Sequence, residues 1–426
     1  MEQERKYWEP EIETMPLDKL RKLQEERLQE IVAYAYEKTK FYRRKYDQAG
    51  VKPSDVNTLD DLGKLPLVED TELRNTPMED KLAVPWEDIK YCCSSSGTTG
   101  VPEPLGLTRE DFEIGCVSNL SQARWAMGVR PSDVVQHMVG LPCQLMVTRN
   151  IGATICGENA GRGNFDNQII MGYMLHATVL EQMPSMVLRY FERAKELGID
   201  MKESKIRLIV AYGEGWAESY KRKVERDYGV VFHSFYGFSQ AGELAYECEV
   251  GGGMHIVADS CIIEIINPQT KQALEPGEEG ELVVTNFFRK AMPRIRVRSS
   301  DITRILPYQP CPCGRTHPKI SMIHGRLARR INVKGKMLYP VDVEEVLGAI
   351  SDLGYEYQII LEKPGEQERL KVKTEYRPEV TNLAVLKTRV EEELSRALGV
   401  DSEVELVPTG SIGRAMFKAQ RIITAQ

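Results

Sequence analysis

The hydrophobic and polar positions of this chain fall into three textures. Between residues 17 and 46, Leu20, Leu23, Leu28, Ile31 and Ala35 recur at three- to five-residue spacing among charged neighbours, which predicts an amphipathic helix. Further on, helical periodicity alternates with short apolar runs: "ATVL" (177–180), "MVLRYFERAKELG", then "RLIVAYG" (207–213). That alternation predicts an α/β architecture, with loops at strand C-terminal ends free to take ligands. From about residue 256 the pattern shortens. "CIIEIINP" (261–268) and "GELVVTNFF" (280–288) read as strands separated by the polar turn "EPGEEGE", which predicts a β-rich subdomain over about 245–325. After "HGR" (324–326) the order is strand, helix, strand, strand, helix, strand. The pieces are "RRINVKG", "PVDVEEVLGAI", "YQIILEK", "RLKVKTEY", a helix near 384–398 and "SEVELV". They predict a small α+β domain. No internal repeat interrupts these textures.

Composition narrows the setting. The chain has 426 residues, too many for one typical domain, and is 42% hydrophobic and 28% charged. A net charge of −7 argues against a general nucleic-acid surface. No apolar run approaches the ~20 residues needed to span a bilayer. The start, "MEQERKYWEPE", lacks the apolar core of a signal peptide, so nine cysteines read as reduced thiols or metal ligands in a cytoplasmic protein.

The stretch "CCSSSGTTGVPEP" (92–104) packs poorly into a core and propagates no helix. Backbone N–H groups of a glycine-rich turn converge on anions, and Ser and Thr hydroxyls add donors. Ser94, Ser95, Ser96, Gly97, Thr98, Thr99 and Gly100 therefore suit phosphates. No G-K-[ST] follows, so this is not a Walker A loop. A solvated linker is the alternative.

This loop resembles the phosphate loop of the adenylate-forming enzymes, in which a Ser/Thr/Gly-rich string ends in Gly-x-Pro. Their usual lysine before the proline is Val101 here. More of the chain is similar to the phenylacetate–CoA ligase-like branch: "YWEPEIETMPLDKLRKLQEERL", "LDDLGKLPLVEDTELR", "YGFSQ", "PRIRVRSSDITRI", "CPCGRTHPKISMIHGR" and "GKMLYPVDVEEVL", all in order. The resemblance implies an adenylate-forming fold: an N-terminal AMP-binding domain over 1–326, with sheets flanked by helices, and a small mobile lid domain over 327–426. It also implies a reaction in two halves. A carboxylate attacks the α-phosphate of MgATP, giving acyl-AMP and pyrophosphate; the CoA thiol then displaces AMP. A carboxylate has no good leaving group of its own, and AMP supplies one.

Carried over by motif, Gly213, Glu214 and Gly215 lie against the adenine. Phe235, Tyr236, Gly237, Phe238 and Ser239 close its other side, with Tyr236 stacking. Asp301 takes the ribose hydroxyls, and Arg326 sits near ribose and phosphate. Lys418, in "GSIGRAMFKAQRI", reaches the α-phosphate during adenylation. Gln240 occupies the position where the family has a Mg²⁺-holding glutamate, and an amide oxygen is a weaker ligand for a hard dication; Glu243 is a nearby acid. Ala328 replaces the family's hinge aspartate, and Phe417 a glycine before the lysine.

The acid pocket is expected between 137–145 and the two glycine-rich turns, walled by His137, Met138, Leu141, Tyr212, Phe238, Ala241 and Gly242. These apolar and small residues suit an aromatic acid, although His137 reads more simply as a core histidine. Cys248, His255, Cys311 and Cys313 form a separate set. Three thiolates and an imidazole make a closed tetrahedral site for structural Zn²⁺, with His317 as a substitute ligand. In the resembling branch a metal occurs at these positions. The resembling branch also implies a homodimer. Two other readings remain open on the sequence: transfer of the acyl group to a carrier-protein thiol or an amine, and a non-catalytic nucleotide-binding homologue.

Overall fold

The computed structural model of the chain describes all residues except 1–4, 96–101, 139–141, 157–164, 364, 415–418 and 425–426. Ser96 to Gly100, Leu141 and Lys418 therefore lie outside the described residues. By contacts the chain forms two units: 1–133, 139–155 and 233–321 in the first, and 134–138, 156–232 and 322–426 in the second.

The first unit opens on helices. The predicted helix over 17–46 is two, Leu17–Lys38 and Lys40–Ala49. Thr39 breaks it by taking an extended conformation, and its side chain accepts from the Tyr42 N–H to cap the second helix. The strands Tyr91–Ser94 and Pro104–Leu107 then pair antiparallel, with Ser94 opposite Pro104. Further on, Gly242–Glu247 pairs antiparallel with Val231–Phe238 and with Met254–Ile256, which pairs with Lys319–Ile320. A separate antiparallel set joins Cys261–Ile266, Gly280–Asn286 and Val297–Thr303. The strand between its two neighbours, Gly280–Asn286, is buried at every position, as a strand covered on both faces must be.

The second unit carries parallel strands Val134–His137, Val179–Gln182 and Leu208–Ala211, in that order. The helices Pro184–Glu196 and Glu218–Tyr228 accompany them. The C-terminal stretch supplies helices Pro340–Ala349 and Leu383–Leu398. Its sheet has the order Ser402–Pro408, Leu370–Tyr376, Leu353–Leu361, Ile422–Thr424. One apolar core joins these parts: Phe191, Tyr220 and Val224 belong to the same cluster as Leu347, Tyr357 and Leu394. Gly348 lets two helices touch, because a Cβ there would lie 2.3 Å from Ser219 Oγ. No described helix is long and apolar enough to cross a membrane.

Candidate active site and metal centre

In the first unit the segment "FYGFSQAGE" turns at the tip of a hairpin, where Phe238 faces Gly242. Gly242 has φ +76, and a Cβ on Gly237 would lie 2.3 Å from the Gly242 carbonyl, so only glycine fits at both. Ala241 is fully buried and donates its N–H to the Phe238 carbonyl at 2.9 Å. The Tyr236 hydroxyl donates to Asp301 Oδ2 at 2.8 Å, and both residues are buried. The two residues expected at adenine and ribose, 65 positions apart, are thus neighbours. Ser300, just before Asp301, takes a left-handed φ of 63, and its N–H is held by Glu281 at 2.9 Å. Phe235 lies under the Arg124 guanidinium at 4.7 Å.

Gln240 donates its amide to Asp70 Oδ1 at 3.0 Å, and Asp70 also pairs with Arg74 at 2.5 Å. A carboxylate therefore stands beside the position where the family's glutamate is missing. Asp70 opens the helix Asp70–Asn75, and nothing local in the sequence tied it to Gln240. Ser95, just after the strand Tyr91–Ser94, accepts the Glu103 N–H on its hydroxyl at 2.8 Å and donates its own N–H to the Glu103 carbonyl at 2.9 Å.

In the second unit Tyr212 to Gly215 follow the strand Leu208–Ala211. Gly213 has φ +79, and Gly215 has a backbone carbonyl, that of Ile323, 3.3 Å from its would-be Cβ. The Glu214 carboxylate accepts from Ser185 N at 3.0 Å and from Ala419 N at 2.8 Å. The sequence placed Glu214 against the adenine; the structure also ties it to the residue after Lys418. Arg326 is half-buried in the short strand Gly325–Arg326. His137 is buried, with Nδ1 3.6 Å from Glu181 Oε2, its opposite in the parallel pairing. Met138 is also buried, its carbonyl accepting from Gln168 at 3.1 Å.

The metal candidates converge in the first unit. The ligand atoms of Cys248, His255, Cys311 and Cys313 all lie within 4.8 Å of one another. Cys248 and Cys311 sulfurs are 3.8 Å apart, and Cys313 Sγ is 3.5 Å from His255 Nε2. Zn–S bonds of about 2.3 Å on a tetrahedron put two sulfurs about 3.8 Å apart, so the donor set fits that ion. His255 Nδ1 faces the His317 carbonyl at 2.9 Å, which directs Nε2 at the sulfurs. Hydrogen bonds from Cys248 and His255 hold the Cys313 thiol low, as a metal-binding thiolate requires. His317 is not a spare ligand: its ring nitrogens face the Ile256 and Ile12 carbonyls at 3.0 and 3.1 Å. Of the other cysteines, Cys156 and Cys261 are buried and Cys92 and Cys93 exposed.

With this geometry in view, the similarities to known proteins are specific. The AMP-binding enzyme family model matches residues 13–287, and the model of its C-terminal domain matches 335–426. A phenylacetate–coenzyme A ligase of Thermus thermophilus is 31% identical over 435 residues, covering 96% of this chain and 97% of that one. The Escherichia coli enzyme of the same name is also 31% identical, at 96% of each chain. Among solved structures, a 2-hydroxyisobutyryl-CoA ligase in the postadenylation state, bound to R3-HIB-AMP, has a TM-score of 0.91 at 25% identity. It covers 100% of this chain and 94% of that one. A Tyr236 hydroxyl bonded to Asp301, inside a chain matched by both models and by these relatives along nearly its whole length, leaves one family: the chain belongs to the AMP-binding, adenylate-forming enzymes.

Proposed function

We propose that this chain is an ATP-dependent acid–CoA ligase. It adenylates a carboxylic acid, releases pyrophosphate and passes the acyl group to the thiol of CoA. The observation that carries the reading is the Tyr236–Asp301 hydrogen bond, in a chain aligned end to end with enzymes named for CoA ligation. Tyr236 faces the base, and Asp301 takes the ribose hydroxyls. The hydroxyls and N–H groups of 94–100 take the phosphates, and Arg326 adds a cation near the ribose. Lys418 neutralises charge as the carboxylate meets the α-phosphate. Asp70 supplies the hard oxygen for Mg²⁺ that Gln240 lacks. The substrate is an aromatic acid of the phenylacetate kind, as in the names of the relatives at 31% identity. The Cys₃His cluster holds a structural zinc that pins the segment around 311–313 to the strands beside it. The lid boundary near residue 326, a homodimer and a cytoplasmic setting complete the proposal on resemblance.

The test is pyrophosphate release from MgATP with phenylacetate, benzoate and 2-hydroxyisobutyrate, with and without CoA. Release that depends on one acid, and thioester formed only with CoA, is the expected result. Lys418→Ala lowers release about 10²- to 10³-fold, the scale of losing one transition-state charge donor. Adenylate that accumulates regardless of CoA would assign the acyl group to another acceptor. For the metal, native mass spectrometry finds about one zinc per chain, and Cys311→Ser loses it together with thermal stability.

A further inference from the structure

Arg289 lies just after the strand Gly280–Asn286 and is only 4% exposed. Few groups partner its side chain. Nη2 donates to the Ser239 carbonyl at 3.2 Å, and Nε is buried with no hydrogen-bond partner among the described residues. No described carboxylate forms an ion pair with it. The other buried charges nearby are paired, although Arg294 Nε and Glu103 Oε2 are also buried without a hydrogen-bond partner among the described residues. Glu103 is shared by Lys81 at 3.0 Å and Arg294 at 2.9 Å. Asp111 is taken by three backbone N–H groups, those of Lys290 at 2.7 Å and of Ala291 and Thr108 at 3.0 Å. Arg289 forms no ion pair with either carboxylate, although the Asp111 charge acts on it from a distance and its guanidinium lies over the Phe288 ring at 5.5 Å. Burial pulls the Arg289 guanidinium down, and Arg294 does the same, but a guanidinium stays protonated in proteins. A lone buried charge is expensive unless a ligand pairs with it.

Its position says which ligand. A Cβ on Gly242 would lie 3.2 Å from Arg289 Nη2 and 3.4 Å from the Phe288 ring, so the guanidinium head stands at the small-residue wall expected for the acid pocket. On the same side the π-helical turn Glu113–Ser118 brings Gly115 against Phe288; a Cβ there would meet the ring at 2.1 Å. A planar fork of donors beside a wall without side chains matches a carboxylate.

We infer that Arg289 is an acid-binding residue, whose guanidinium receives the carboxylate of the substrate acid beside the Ser239–Gly242 turn. The inference rests on the adenylating reading above and names a recognition element of that same site. It also gives the pocket a fixed cation although Val101 leaves the glycine-rich loop without one.

The test uses the full chain and the variants Arg289→Met and Arg289→Lys. Binding of phenylacetate, benzoate and 2-hydroxyisobutyrate is measured by calorimetry against their uncharged amides, alongside MgATP binding and thermal melting. The expected result is a loss of about 10- to 100-fold in affinity for the bound acid in Arg289→Met, with partial recovery in Arg289→Lys. Affinity for the amides and for MgATP is unchanged, and the melting temperature is equal or higher. Unchanged acid affinity overturns the inference. So does a loss of MgATP affinity with acids unaffected, which would give the cation to the phosphates. So does a fall in melting temperature with both ligands lost, or a wild type that prefers no acid to its amide. Arg289-dependent acid binding without any pyrophosphate release would instead leave the inference standing and overturn the ligase reading.

Discussion

Two regions of the molecule bury a cation, and they resolve its cost in opposite ways. In the second unit Lys223 is fully buried on the helix Glu218–Tyr228. Its ammonium donates to the carbonyls of Leu353 at 2.7 Å, Gly354 at 3.1 Å and Ile350 at 3.3 Å. These carbonyls close the end of the helix Pro340–Ala349 and begin the next strand. The same helix returns the favour: Glu344 accepts from Ala217 N and Glu345 from Ser219 N, both at 3.0 Å, where the helix Glu218–Tyr228 begins with orphan donors. All the hydrogen-bonding capacity of Lys223 is spent inside the protein. In the first unit Lys81 and Arg294 pair with Glu103 whereas Arg289 forms no ion pair among the described residues, and the Nε of both arginines is buried there without a hydrogen-bond partner. The difference teaches that a satisfied buried charge fastens elements together, whereas an unsatisfied one is held for something that arrives.

Substitutions that remove one partner at a time break this comparison most sharply. The largest effect belongs to Glu103→Gln. It strips Lys81 and Arg294 of the carboxylate they share, and urea unfolding shows a loss of about 3–5 kcal/mol. Lys223→Met comes next. It leaves three carbonyls without their donor and costs about 1–3 kcal/mol by the same measurement. Arg289→Met belongs at the other end, with no loss of stability, because its removal orphans only the Ser239 carbonyl. A loss as large as that of Lys223→Met would erase the distinction between the two regions.

A slope with pH tests the second region by itself. Burial pulls the Lys223 ammonium down to about 7 from the ordinary lysine value of 10.5. The folded chain therefore releases a proton near pH 7 that the unfolded chain keeps to about 10.5. Unfolding takes up that proton, so stability rises as pH climbs through this window. Glu344 acts with opposite sign. Burial raises it from 4.5 to about 7, so the folded chain keeps a proton that the unfolded chain has lost, and stability falls between those values. Urea midpoints from pH 5 to pH 10 should dip near 7, and Lys223→Met should flatten the alkaline arm alone.

Much of the fold was legible because short-range patterns set it. The strand, helix, strand, strand, helix, strand order after residue 326 appears as Ile331–Val333, Pro340–Ala349, Leu353–Leu361, Leu370–Tyr376, Leu383–Leu398 and Ser402–Pro408. The helical pattern over 17–46 does not show the break at Thr39, because a threonine that caps its successor looks like any helical threonine until its hydroxyl is seen. The Cys₃His set is legible by residue type, with His317 as a substitute ligand, and only the two carbonyl partners of His317 remove it.

By itself the sequence determined the periodicities, the glycines that hairpin tips require at Gly237 and Gly242, and the order of the motifs along the chain. Those are local properties of backbone and side-chain spacing. What the tertiary structure decided was which charges lose their water and what they find instead. Nothing in "YKRKVERD" or "NFFRKAMP" marks Lys223 or Arg289 as buried. Gln240 meets Asp70 across 170 positions, and Arg289 meets Ser239 across 50. Desolvation depends on every element packed around a group, so no window of sequence contains it.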